Sequence, residues 1–265
     1  MTAPSGTVTL ITDFGTADGF VGAMKGRLLQ LAPQAQLVDI SHDIAPQDIV
    51  QGAWCLRQAA LEFPPGTLHL AVVDPGVGDV RAALLIETER YLLVGPDNGV
   101  LSLAARADHL RRVWRIDPQA GPWARSTTFE GLSLFAPVAA GLVQGMLPSA
   151  IGVATDEFVE LIPREPEVGP EGVVGEVVRF DRFGNGITNI HRTLLGGAQV
   201  AAITAEAGHV LPLCSSYADM AQRPDGVGAL WNSAGLLELA VWRASARERL
   251  RMAPGSQVRL TLRRH

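Results

Sequence analysis

"TLHLAVVDPGVG", residues 67–78, decides how this chain folds. A mostly apolar run stops at Asp74-Pro75-Gly76, where proline and glycine fix the backbone. Such a run reads as a strand buried on both faces, and strands of that kind belong to sheets covered by helices. Outward from it, "TVTLIT" (7–12) reads as a second strand, ending at Asp13-Phe14-Gly15, and "AQLVDIS" (35–41) as a third. Helical spacing fills 18–31, ahead of Pro33, and 47–62, closed by Pro64-Pro65-Gly66. "AALLIETERYLLVGPDNG" (82–99) reads as two strands around a polar turn, and helical patterns recur at 100–112 and 131–147. Strands alternating with helices predict an α/β domain with a largely parallel central sheet.

The texture changes at "PREPEVGPEG" (163–172), which is rich in proline, glycine and acid. Short strand-like runs follow: "GVVGEVVRFD", "AQVAAITAEAGHVL", "LLELAVW" and "SQVRLTLRR". They predict a small antiparallel β-barrel. The expected division is an N-terminal α/β domain over 1–165, a linker near 163–172 and a C-terminal β-barrel domain over 172–265.

The 265 residues carry a formal net charge of −5, with no basic block, so no nucleic-acid partner is expected. The apolar run Leu134–Val143 contains Pro137 and is too short to span a bilayer. The opening "MTAPSGTVTLITDFG" lacks the basic-then-apolar order of a signal peptide, so a cytoplasmic location is expected, with no membrane partner. Cys55 and Cys214 stand far apart, and no two of the six histidines have metal-ligand spacing. No metal is expected.

Polar residues gather where an open α/β sheet binds ligands, beyond the carboxyl ends of its strands. Asp13, Asp43 and Asp74 all fall there, and Arg81 follows Asp74 closely enough to return and pair with it. A loop acid of this kind is most often a cap, and a lone Asp–Arg pair is most often structural. In the second domain, "DRFGNGITNIH" (181–191) compresses Asp181, Phe183, Asn185 and Asn189 around glycines. That loop offers an aromatic face for a flat ring, amides for ring nitrogens and a carboxylate for an ammonium. "NSAGLLELA" (232–240) adds a polar pair before a strand.

Taken in order, "TDFG", "VVDPGVG…R", "GPDNG", "TTF-G…FAPVAA", "FGN-ITNIH" and "NS-G-LELA" resemble the S-adenosyl-L-methionine (SAM) hydrolase family, relatives of the SAM-dependent fluorinase and chlorinase. The resemblance spans nearly the whole chain. It implies an N-terminal α/β domain, a C-terminal β-barrel, and a homotrimer with each active site at a subunit interface. The implied reaction converts SAM and water to adenosine and L-methionine, with SAM as substrate and no cofactor.

By position, the resemblance gives Asp13 the ribose hydroxyls and sets Phe129 against the ribose and the reacting carbon. Phe183 and Tyr217 pack the adenine, Asn185 hydrogen-bonds it, and Val241 offers main-chain contacts. Asp181 and Ser233 take the methionine end. Asp74 and Arg81 match two members of an Asp–Arg–His set that activates water. The third differs: where family hydrolases usually read TFHGRD, this chain reads Thr128-Phe129-Glu130-Gly131-Leu132-Ser133, so Glu130 replaces histidine. Ala234 and Gln47 stand where the fluorinase has an arginine and a tryptophan.

The sulfonium leaves as a neutral thioether, so the reaction needs placement of the nucleophile and a home for its proton rather than an acid. Asp74 and Glu130, balanced by Arg81, are expected to supply that home. Two alternatives stand beside this reading: a slow or non-catalytic SAM- or adenosine-binding protein, with Glu130 merely favoured by a helix start, and, ranked lower, a SAM-dependent halogenase.

Overall fold

A computed structural model describes residues 4–121, 123 and 128–263; Thr127 of the "TTF-G" motif and both chain ends lie outside them. The chain divides into two compact units after Leu161.

The first unit runs β1 (Thr7–Thr12), α1 (Phe20–Leu31), β2 (Gln36–Ser41), α2 (Ile49–Ala60), β3 (Leu68–Val72), β4 (Ala83–Glu87), β5 (Leu92–Pro96), α3 (Ser102–Ala107), β6 (Arg112–Ile116), α4 (Ala136–Val143) and β7 (Gly152–Thr155). Its seven strands form one sheet in the order β2-β1-β3-β5-β4-β6-β7. The first four pair in parallel, and the rest are joined antiparallel. The fold is α/β, and its sheet is mixed. β6 and β7, which the apolar patterning did not reveal, extend the antiparallel half.

Alternation along the strands explains the layers. Leu10, Leu70, Val72 and Leu85 face one core with Met24, Leu28, Phe135 and Leu142. Ile11, Ala71, Val73, Leu84 and Ile86 face the other with Leu56 and Ala104. Each fully buried Leu or Ile contributes about 1.5–3 kcal/mol, so both faces must be covered. α2 is capped by Asp48, whose Oδ1 accepts the Gln51 N–H at 2.8 Å. α3 is shorter than the helical pattern over 100–112 because Asp108 leaves the helix. Its carboxylate accepts from Thr88 Oγ1 at 2.6 Å, from the Arg90 N–H at 2.8 Å and from Arg90 Nε at 2.6 Å.

The second unit holds β8 (Glu167–Gly169), β9 (Gly172–Phe180), β10 (Gly186–His191), β11 (Gln199–Ala205), β12 (Val210–Leu211), α5 (Tyr217–Ala221), β13 (Val227–Trp231), β14 (Leu236–Val241), α6 (Ala246–Arg249) and β15 (Gln257–Arg263). β8 falls within the proline- and glycine-rich stretch and pairs antiparallel with β9. The main path runs β12-β11-β15-β9-β10-β14-β13. Its two ends meet: the Cys214 N–H donates to Ala229 O at 2.7 Å, and the Ala229 N–H to Pro212 O at 2.9 Å. The result is a nearly closed barrel around Val173, Val177, Ile190, Ile203, Leu239, Val258 and Leu260. No helix among the described residues is long and apolar enough to cross a membrane.

Candidate active site

In the α/β unit, two segments converge. Asp74 and Arg81 lie near the two ends of the loop between β3 and β4, and Glu130 stands at the turn leading into α4. Arg81 Nε donates to Asp74 Oδ1 at 2.9 Å and to Oδ2 at 3.0 Å. Arg81 Nη2 donates to both Asp74 Oδ2 and Glu130 Oε2 in close contacts. One guanidinium therefore ties two carboxylates together. The Asp74 and Glu130 side chains are 3% and 0% exposed, and Arg81 is 11% exposed. Burial alone would lower the Arg81 guanidinium, but hydrogen bonds and charge from Asp74, then Glu130, hold it above its usual value. Arg81 also lies over the Phe135 ring, 5.5 Å from its centroid.

Local sequence explains why Glu130 points inward. Residues Gly131–Phe135 form a wide π-type turn closed by the Ala136 N–H on Gly131 O. Pro137, at the start of α4, has no N–H to give an ordinary helical bond there. A Cβ on Gly131 would lie 3.0 Å from Phe129 Cε2 and 3.3 Å from Met24 Sδ, so glycine lets the turn sit close against α1 without displacing either side chain.

Asp13 follows β1, and its Oδ2 accepts the Gln47 N–H at 2.8 Å. Gln47 has φ of +69°, a left-handed conformation that this bond helps hold. Phe129 joins an aromatic cluster that sequence reasoning missed: its ring lies 5.7 Å from Phe14 and 5.2 Å from Phe20, edge to face. The cluster links the loop bearing Asp13 to the loop bearing Glu130. Asp43 is exposed, and its N–H donates to Ser41 Oγ. "GPDNG" serves the scaffold, with Asn98 Nδ2 donating to Val73 O at 2.9 Å.

In the barrel, a cleft of about 510 Å³ is lined by Phe183, Asn185, Tyr217 and Val241, together with Trp242–Ser245. Phe183 is 76% exposed and presents its ring at the cleft. Asp181 shapes the loop behind it: Oδ1 accepts the N–H groups of Phe183 at 2.9 Å and Asn185 at 2.8 Å. Its Oδ2 accepts Asn185 Nδ2 at 2.9 Å. Gly184, at φ of +82°, allows the loop to close on Ser245, whose Oγ would lie 2.3 Å from an added Cβ. Ser233 is exposed in the turn before β14, whereas Val241 ends that strand, so Ser233 is not among the residues lining the cleft. Val241 was expected, but Trp242–Ser245 directly after β14 were missed; an aromatic and a cation just beyond a strand end were the available signal. Among the described residues, no cluster of His, Cys, Asp or Glu is placed to hold a metal ion.

The chain thus combines a mixed-sheet α/β unit bearing a buried carboxylate–guanidinium–carboxylate group with a barrel bearing an aromatic–amide cleft. The chain belongs to the SAM hydroxide adenosyltransferase family, whose N-terminal domain model matches residues 8–152 and whose C-terminal domain model matches 175–259. It is 39% identical to the (R)-S-adenosyl-L-methionine hydrolase of Thermus thermophilus, covering 96% of this chain and 98% of that one. A crystal structure of a conserved Thermotoga maritima protein matches with a TM-score of 0.88 at 31% identity, over 96% of this chain and 99% of that one. The fluorinase of Nocardia brasiliensis is more distant, 28% identical over 88% of this chain and 89% of its own.

Proposed function

We propose that this protein hydrolyses SAM to adenosine and L-methionine, with water attacking the ribose 5′ carbon. Support comes from the hydrolase relatives and, above all, from Arg81 joining Asp74 and Glu130 in one buried group. Two carboxyl groups brought together by Arg81 set acceptor oxygens beside the reaction site, an arrangement that suits a cationic sulfonium nearby. The departing thioether is neutral and needs no acid. The attacking water needs an oriented acceptor, and Arg81 holds two in fixed positions. One carboxylate orients the water and the other takes its proton. A halide nucleophile would have to shed its hydration beside two acidic side chains, which disfavours halogenation.

In the same reading, Asp13 holds the ribose hydroxyls and Phe129 lines the reacting carbon. Phe183 and Tyr217 sandwich the adenine, Asn185 and the backbone at Val241 read its edge, and Asp181 and Ser233 take the methionine end. The working form is a cytoplasmic homotrimer with its site at the subunit interface, and no cofactor takes part. Sedimentation at micromolar concentration tests the trimer.

Incubation of the purified protein with SAM, followed by chromatography for adenosine and methionine, tests the function. Glu130→Gln is expected to lower turnover by about 10²–10⁴-fold and to alter the pH profile. SAM binding without products would instead indicate a non-catalytic binder.

A further inference from the structure

One buried acid of the barrel has no task in the site proposed above. Glu238 interrupts the apolar run "LLELAV" of β14 and is 4% exposed. Its Oε1 accepts the Tyr217 hydroxyl, and the Asn232 side chain also favours its charged form. Burial pushes the Glu238 carboxyl up; the Tyr217 bond partly offsets this, and the charge of Asp181 adds to the rise. A buried carboxyl is costly, and it persists where it organises partners.

Its partner lines the cleft. Burial and the bond to Glu238 both push the Tyr217 phenol up, so it keeps its proton and directs it at Glu238. A phenol with its only proton so committed offers lone pairs everywhere else. Asn185 Nδ2 lies 3.5 Å from that phenol oxygen and 2.9 Å from Asp181 Oδ2. Both neighbours therefore accept, and both require the NH₂ side of the amide. The side-chain hydrogen bonds of Asn185 among the described residues are both made by Nδ2, which leaves Oδ1 to face a ligand.

We propose that Glu238 is a positioning residue: through Tyr217 it fixes the orientation of the Asn185 amide, and so makes the cleft select a 6-aminopurine over a 6-oxopurine. The inference rests on the nucleoside reading of the cleft given above. An exocyclic amine donates, whereas a 6-oxo group only accepts, so Asn185 Oδ1 can pair with the first and is repelled by the second. The same edge logic lets an asparagine amide read adenine in nucleic acids. Without Glu238, the Tyr217 proton is free to turn to Asn185 Oδ1, opposing Asp181 and unlocking the amide.

Calorimetric binding of adenosine and of inosine to the full chain tests this, using wild type, Glu238→Gln, Glu238→Leu and Tyr217→Phe. The wild type is expected to prefer adenosine, and Glu238→Gln, which keeps an acceptor for Tyr217, is expected to retain that preference. Glu238→Leu and Tyr217→Phe are expected to lose about tenfold of it. A merely structural role would weaken both ligands alike and leave the ratio unmoved. If Glu238→Leu does not fold, Tyr217→Phe decides, since it removes a single oxygen. Adenosine binding with the wild-type ratio in the folded variants, or no preference in the wild type, overturns this inference alone. No adenosine binding by the wild type overturns the nucleoside reading and the inference with it.

Discussion

Arg81 and Glu130, far apart in sequence, meet through a single guanidinium nitrogen that also donates to Asp74. Charge, geometry and burial are therefore linked in one group. Removing any member changes the other two.

Arg81→Met takes the shared guanidinium away from two buried carboxylates and is expected to destabilise the protein by about 3–5 kcal/mol, read from denaturant unfolding. Arg81→Lys keeps the charge but loses the fork, so stability should largely recover while SAM turnover falls at least about tenfold. Unchanged unfolding in Arg81→Met would show that the ion group carries no structural weight.

His69 makes acid stability a second test. It sits fully buried in β3, its Nδ1 2.7 Å from Thr9 Oγ1 on the paired strand β1. Burial pushes its imidazole down from 6.5 to about 3, with the charge of Asp108 only partly opposing. Between those values the unfolded chain binds the proton and the folded chain does not. The contribution is thus complete above about pH 6.5 and drains away as pH falls toward 3, at up to about 1.4 kcal/mol per pH unit. Denaturant midpoints at pH 7 and 4.5 should fall less in His69→Gln than in wild type. Equal falls would mean that other groups govern the acid limb.

Gln47 offers a gain rather than a loss. Its left-handed backbone at φ of +69° is costly for a side chain with a Cβ, while the bond it makes to Asp13 uses only the backbone N–H. Gln47→Gly is expected to raise stability by up to about 1 kcal/mol, measured by thermal unfolding, with the Asp13 contact kept. A lower melting temperature would show that the side chain itself holds the loop.

These contrasts also show how much was legible in the sequence. "DPGVG" was readable because an apolar strand stops at it, and "TTFEG" because an apolar helix-like run follows it and the family motif includes it. β6 and β7 were not, because Arg112 and Arg115 alternate with Val113 and Ile116 on a short strand near the sheet edge. The barrel's closure at Ala229 depends on pairing distant in sequence, which no local pattern encodes. Asp181 was read as a ligand for an ammonium, and its hold on its own loop, through both oxygens, could not be read from spacing alone. Glu238 was legible only as an exception: a lone acid inside a strand otherwise apolar. Its task emerged once Tyr217 was seen against it.

The most direct measurement is the fate of solvent oxygen. SAM incubated with the enzyme in water enriched in oxygen-18 should yield adenosine carrying one heavy oxygen at its 5′-hydroxyl, beside unlabelled L-methionine. Adenosine without the label, or no adenosine from SAM at all, would contradict attack by water at the 5′ carbon.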